Sequence, residues 1–166
     1  GQQVSVAAAR TVATGVAQRY GTSLAAAVAD GLLHLFPTPD ALADADLESA
    51  GLTRARAGTI RTVARALLEG AVGFAPERTL DDFVERWTAL PGIGPWTAHY
   101  IAMRALSHPD AFPPEDLVLQ KTLPNDGTRP TARALRERAE AWRPWRAYAV
   151  IHLWHEASNA QARAAA

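Results

Sequence analysis

The six residues Leu90-Pro91-Gly92-Ile93-Gly94-Pro95 set two prolines and two glycines between stretches of helical periodicity. A connection this short between two helices is a tight hairpin. Two nearby glycines let main-chain N–H groups at the start of the next helix approach an anion such as phosphate without interference from a Cβ. The alternative is a helix–helix turn made of ordinary breakers, and spacing alone leaves both open. A dinucleotide-binding loop is excluded, because no strand precedes the glycines and no third one follows.

Next in the chain, Trp96, Tyr100 and Met103 fall at i, i+4 and i+7 on one helical face. Such a stripe is ordinarily core; in a site it would be a wall for stacking a planar base or a cation. Asp116 follows Pro113, Pro114 and Glu115 where a helix over 116–123 must begin, and its default role is a cap. His152 and His155 stand one turn apart, a spacing that can ligate a metal, but they lack a third ligand and a metalloprotease pattern. Arg129, Arg133, Arg136, Arg138, Arg143 and Arg146, interspersed with Glu137 and Glu140, read as solvated helix surface with one or two phosphate contacts.

The elements that must position these residues are helices, since no segment alternates long enough to be a strand; the fold class is all-α. The first helix runs from Gln2 to Tyr20, and Gly21 ends it as a C′ glycine. It starts in mid-stride, without a cap, so further residues are expected upstream. An apolar stretch from Leu24 to Leu35 leads to Thr38-Pro39-Asp40, which caps a short helix over 39–45, and another turn is expected at 47–50. Thr53 opens a helix with Ala57, Ile60, Val63, Ala64 and Leu67 at helical spacing before Gly70. Thr79 begins the next, with Asp81 and Asp82 in its first turn, and Gly94-Pro95 restarts helix after the hairpin. Thr131 and Pro144 open the last two helices, 132–142 and 144–158. One domain is expected over 1–158, followed by a frayed tail over 159–166.

Composition narrows the chemistry. The chain has 166 residues and no cysteine, which excludes a disulfide scaffold, a thiol nucleophile and cysteine-ligated zinc or iron–sulfur. Lys121 is the one lysine, so Schiff-base chemistry has almost nowhere to reside. The formal net charge is zero, unusual for a nucleic-acid binder, but residues 91–166 carry 9 basic against 7 acidic side chains. No apolar run approaches the roughly 20 residues of a membrane span, and a soluble cytoplasmic protein without membrane contact is expected.

The strings LPGIGPWTAHYIAMRAL, FPPEDLVLQKTL and WRPWRAYAVIHLWHE resemble the helix-hairpin-helix DNA glycosylases and, within them, the 3-methyladenine DNA glycosylase II or AlkA type. The likeness extends over the opening GQQVSVAAA and FPTPDALA, to about Glu156. It implies a compact helical bundle lacking the family's N-terminal α/β region. It also implies a bacterial, monomeric enzyme that flips alkylated purines out of double-stranded DNA and hydrolyses their glycosidic bond. Asp116 matches the catalytic aspartate, with Glu115 as the neighbouring rival. Trp96, Tyr100 and Trp154 match aromatics that wall the base pocket.

By the same resemblance, Gln3 falls at the wedge that fills the gap in the duplex, where an apolar side chain is the usual choice. The N–H groups of Gly92 and Gly94 would face DNA phosphate. The carbonyls of Thr88, Leu90 and Ile93 would hold a monovalent cation; no other cofactor is implied. Trp96 stands where bifunctional relatives have a lysine, so hydrolysis without strand cleavage is expected. The competing readings are a non-catalytic helix-hairpin-helix DNA-binding module and a glycosylase for oxidised or deaminated bases.

Overall fold

The computed structural model describes residues 6–24, 33–75, 79–123 and 127–164. Among these lie the helices α1 (Val6–Tyr20), α2 (Pro39–Ala43), α3 (Arg54–Leu68), α4 (Leu80–Thr88), α5 (Pro95–Ala105), α6 (Leu117–Thr122), α7 (Ala132–Ala139) and α8 (Arg146–Ala164). Single 3₁₀ turns occupy Leu47–Ala50 and Glu140–Trp142. No strand occurs among the described residues, which include an isolated bridge between Ser23 and His34, so the fold is all-α. No helix among them is long and apolar enough to cross a membrane.

The helix starts follow local chemistry. Thr38, Thr53 and Thr131 each accept a hydrogen bond from the N–H three residues on, and Asp46 does the same for the first 3₁₀ turn. Several boundaries differ from expectation. Helix α2 ends at Ala43, where the Asp44 N–H turns back to the Leu42 carbonyl. Pro144 does not open α8: the Trp145 N–H closes a turn onto the Trp142 carbonyl at 2.7 Å, and helix begins only at Arg146. The segment from Asn159 is helical through Ala164 rather than frayed, because its alanines, Gln161 and Arg163 are strong helix formers with no breaker among them.

Gly21 differs in its reason. It is not left-handed; a Cβ there would lie 2.1 Å from the Leu35 carbonyl oxygen, so the residue is small to let two backbones pass. The expected residues Gln2–Ser5 of the first helix, and 25–32 of the apolar stretch, lie outside the described residues.

The single domain expected from composition divides into two compact units, Gly1–Gly73 with Ala89–Gly92, and Phe74–Thr88 with Ile93–Ala166. The chain passes between them in short turns, so no linker marks the division in the sequence. In the first unit, Val16 of α1 packs with Leu42 and Ala43 of α2, Leu47, and Ala57 and Ala64 of α3. Arg61 closes its edge with two 2.9 Å bonds to Glu48 and a third to the Ala45 carbonyl. In the second unit, Phe83, Trp87, Ala98, Ala102, Phe112, Leu119, Leu135 and Val150 are buried. Phe112 meets Trp142 edge-on at 6.1 Å.

Candidate active site

Pro113 and Pro114 lead into a turn that the Asp116 N–H closes onto the Pro113 carbonyl at 3.0 Å, and Asp116 caps α6 from a φ of −67° and ψ of 123°. Its Oδ1 accepts the N–H groups of Val118 and Leu119, both at 2.9 Å. The capping role expected by default is therefore real, but it accounts for only half of what surrounds the carboxylate. The indole Nε1 of Trp96, in the first turn of α5, donates to Oδ2 at 2.7 Å. The indole Nε1 of Trp154, in the middle of α8, donates to Oδ1 at 3.1 Å. Asp116 is 5% exposed, and all four partners are donors, so it serves as a fourfold acceptor. Three donors converge on Oδ1 and one on Oδ2, which leaves Oδ2 the oxygen with the freer lone pair.

The rings around this carboxylate form a connected wall. Trp96 and Tyr100 stack with centroids 5.1 Å apart at 11°, and Tyr100 meets Trp154 at 6.0 Å and 40°. These spacings are those of direct aromatic contact, too close to admit another ring between them. A planar ligand would lie against an outer face, and Tyr100, at 37% exposure, offers one. Met103, the third residue of the sequence stripe, is buried core.

Glu115, the neighbouring carboxylate, points elsewhere: its Oε1 lies 3.4 Å from Arg136 Nη2 and it meets neither indole. His152 and His155 are exposed, and no group of three or more His, Asp or Glu able to hold a metal occurs among the described residues. Of the arginine run, Arg129, Arg133, Arg136, Arg138 and Arg143 are exposed, as expected of a solvated helix surface, and Arg146 is the exception. Arg146 is buried on Asp110, Arg143 pairs with Asp110 and Glu140, and Arg133 pairs with Glu137 at 2.9 Å. The Asp110–Arg146 pair was not read from the sequence, since its partners are 36 positions apart. His99 of α5 was also missed. Burial, with Arg146 adding to it, lowers its imidazole from 6.5 to about 4, and Nδ1 has no hydrogen-bond partner.

At the hairpin the two glycines do different work. Gly92 has a φ of +88°, and a Cβ there would lie 2.0 Å from Thr59 Oγ1 of α3. Its missing side chain thus serves the turn and the packing on α3. Gly94 caps α5 in extended conformation with no side-chain bond, and a Cβ there would meet nothing within 4 Å. Pro95 follows at the first helical position, leaving the N–H groups of Trp96 and Thr97 without intrahelical acceptors. Thr88, the last residue of α4, and Ile93 belong to the second unit and Leu90 to the first. Gln3 lies outside the described residues.

A glycine hairpin running into a helix, with aromatic rings gathered about a buried aspartate at the next helix start, is the layout of the helix-hairpin-helix class of DNA repair proteins. Residues 1–147 match the HhH-GPD superfamily of base excision DNA repair proteins, and the chain belongs to that family. It is 36% identical over 160 residues to DNA-3-methyladenine glycosylase 2 of Escherichia coli, covering 93% of this chain and 54% of that protein. To the probable bifunctional transcriptional activator/DNA repair enzyme AlkA of Mycobacterium tuberculosis it is 38% identical over 156 residues, covering 92% of this chain and 31% of that one. Its fold superposes on the 3-methyladenine DNA glycosylase of Archaeoglobus fulgidus with a TM-score of 0.78 at 27% identity, over 95% of this chain and 55% of the other. The chain thus spans about half or less of the length of these relatives.

Proposed function

We propose that this chain carries the base-excision site of a monofunctional DNA glycosylase that releases alkylated purines such as 3-methyladenine from double-stranded DNA and leaves an abasic site. The observation that carries this reading is the convergence of the Trp96 and Trp154 indole N–H groups on Asp116. A cap needs neither indole, and a phosphate-gripping module needs no aromatic wall.

The base is reached by extruding the nucleotide from the stack, at a cost of a few kcal/mol. Methylation at N3 or N7 makes the purine ring cationic. The outer faces of Tyr100 and Trp154 then attract it by about 0.5–2 kcal/mol per contact, and the charged base is a good leaving group without prior protonation. As the C1′–N bond breaks, its electron pair goes to the base and neutralises the ring, while positive charge develops at C1′. Asp116, fixed by four donors before the substrate arrives, stabilises that charge through Oδ2. Water adds at C1′ and its proton is lost to solvent or to the carboxylate.

The N–H groups at the α5 start bind DNA phosphate in this reading, with Gly92 and Gly94 shaping the turn. Gln3 stands at the wedge position. By the family resemblance, the main-chain carbonyls of Thr88, Leu90 and Ile93 are the groups that would hold a monovalent cation. With Trp96 where a lysine would attack the sugar, no imine forms. The protein acts as a monomer in the cytoplasm.

Duplexes carrying methylated purines, hypoxanthine or 8-oxoguanine, assayed for base release with and without borohydride, test the proposal. Release from methylated DNA with no borohydride-trapped adduct supports it. Preferential release of 8-oxoguanine or hypoxanthine, or a trapped adduct, contradicts it.

A further inference from the structure

The loop from Asp110 to Asp116 is fastened to α8 at both ends. At its end, Trp154 donates to Asp116. At its start, Arg146 grips Asp110 with a two-pronged fork, Nε to Oδ1 at 2.7 Å and Nη2 to Oδ2 at 2.8 Å. Arg143 Nη1 also donates to Asp110 Oδ2, Glu140 accepts from both arginines, and the Ala147 N–H donates to the Pro109 carbonyl at 2.9 Å. The Arg146 and Asp110 side chains are 7% and 13% exposed. Between the two fastenings, Ala111, Phe112, Pro113 and Pro114 are buried, and the prolines stiffen the path. Arg146 and Trp154 are eight residues apart on one helix, roughly 12 Å along its axis. The loop therefore cannot slide along α8 without breaking one attachment.

We infer that Asp110 and Arg146 are a positioning pair that sets the register of α8 against the catalytic loop, and so delivers the Trp154 N–H to Asp116. The inference rests on Asp116 being the catalytic carboxylate. A forked ion pair is directional, whereas apolar side chains of similar volume fill the same space without specifying register; such replacement of a buried pair is often neutral for stability. That difference separates positioning from simple structural support.

The test is the double variant Asp110→Leu/Arg146→Met. It is expected to keep the parent's unfolding temperature and its affinity for abasic duplex, so KM changes little, while single-turnover base release falls about 10²-fold. The indole N–H resonance of Trp154, assigned by its loss in Trp154→Phe, is expected to move in the double variant without any substrate present. Parental release with an unmoved resonance overturns the pair. The resonance decides this independently of catalysis, so a parent chain that releases no base would refute the glycosylase reading without obscuring the result. If the double variant does not fold, Asp110→Asn, which keeps the volume and one acceptor oxygen, is read in the same way.

Discussion

The Trp96 indole is held by two contacts of different kinds: its N–H donates to Asp116 Oδ2 at 2.7 Å, and its face lies on Tyr100 at 5.1 Å. One residue thus joins the base wall to the carboxylate. Trp96→Phe separates the two roles, because phenylalanine keeps a ring on Tyr100 and removes the donor. A hydrogen bond to a charged group contributes about 1.5–3 kcal/mol, so base release should fall about 10- to 10²-fold while affinity for abasic duplex is retained. Single-turnover release and gel-shift measurements on the same preparation check this; equal losses in both would assign Trp96 to binding alone.

Gly92 and Gly94 should respond unequally to alanine. At Gly92 alanine must adopt a φ of +88° and also displace Thr59, whose Oγ1 lies 2.0 Å from the added carbon. The left-handed conformation alone costs about 1–2 kcal/mol. At Gly94 the space is open and the cost is that of a poorer cap, on the order of 1 kcal/mol or less. Urea denaturation of the two variants should therefore rank Gly92→Ala well below Gly94→Ala.

His99 should make the protein acid-sensitive. Burial holds its imidazole at about 4; Arg146, Arg136 and His108 push the same way and Asp81 opposes them. Between pH 6.5 and 4 the unfolded chain binds a proton that the folded chain does not, so stability falls as pH drops through that window, by on the order of 3 kcal/mol. Denaturation curves at several pH values should show this slope in the parent and its loss in His99→Leu.

Much of this was readable from local chemistry. The hairpin, the threonine caps and the position of Asp116 before α6 follow from breakers and capping residues within a few positions of one another. What could not be read depends on partners distant in the chain. The Asp116–Trp154 bond spans 38 residues and the Asp110–Arg146 fork 36, and a lone aspartate or arginine carries no mark of such a partner. Gly21 and Gly92 were recognisable as breakers, but the reasons for them, the Leu35 carbonyl and Thr59, lie on other segments. The end of α5 was obscure for another reason: Ser107, not glycine, takes the left-handed position at a φ of 52°.

The most direct test of the account is Asp116→Asn. The amide keeps the size of the carboxylate but removes its charge, and turns a donor toward a site already filled by four N–H groups. Release of methylated purine from duplex DNA is predicted to fall about 10²–10⁴-fold, with DNA binding preserved. Near-parental release by this variant would show that the carboxylate only caps α6, and would contradict the account.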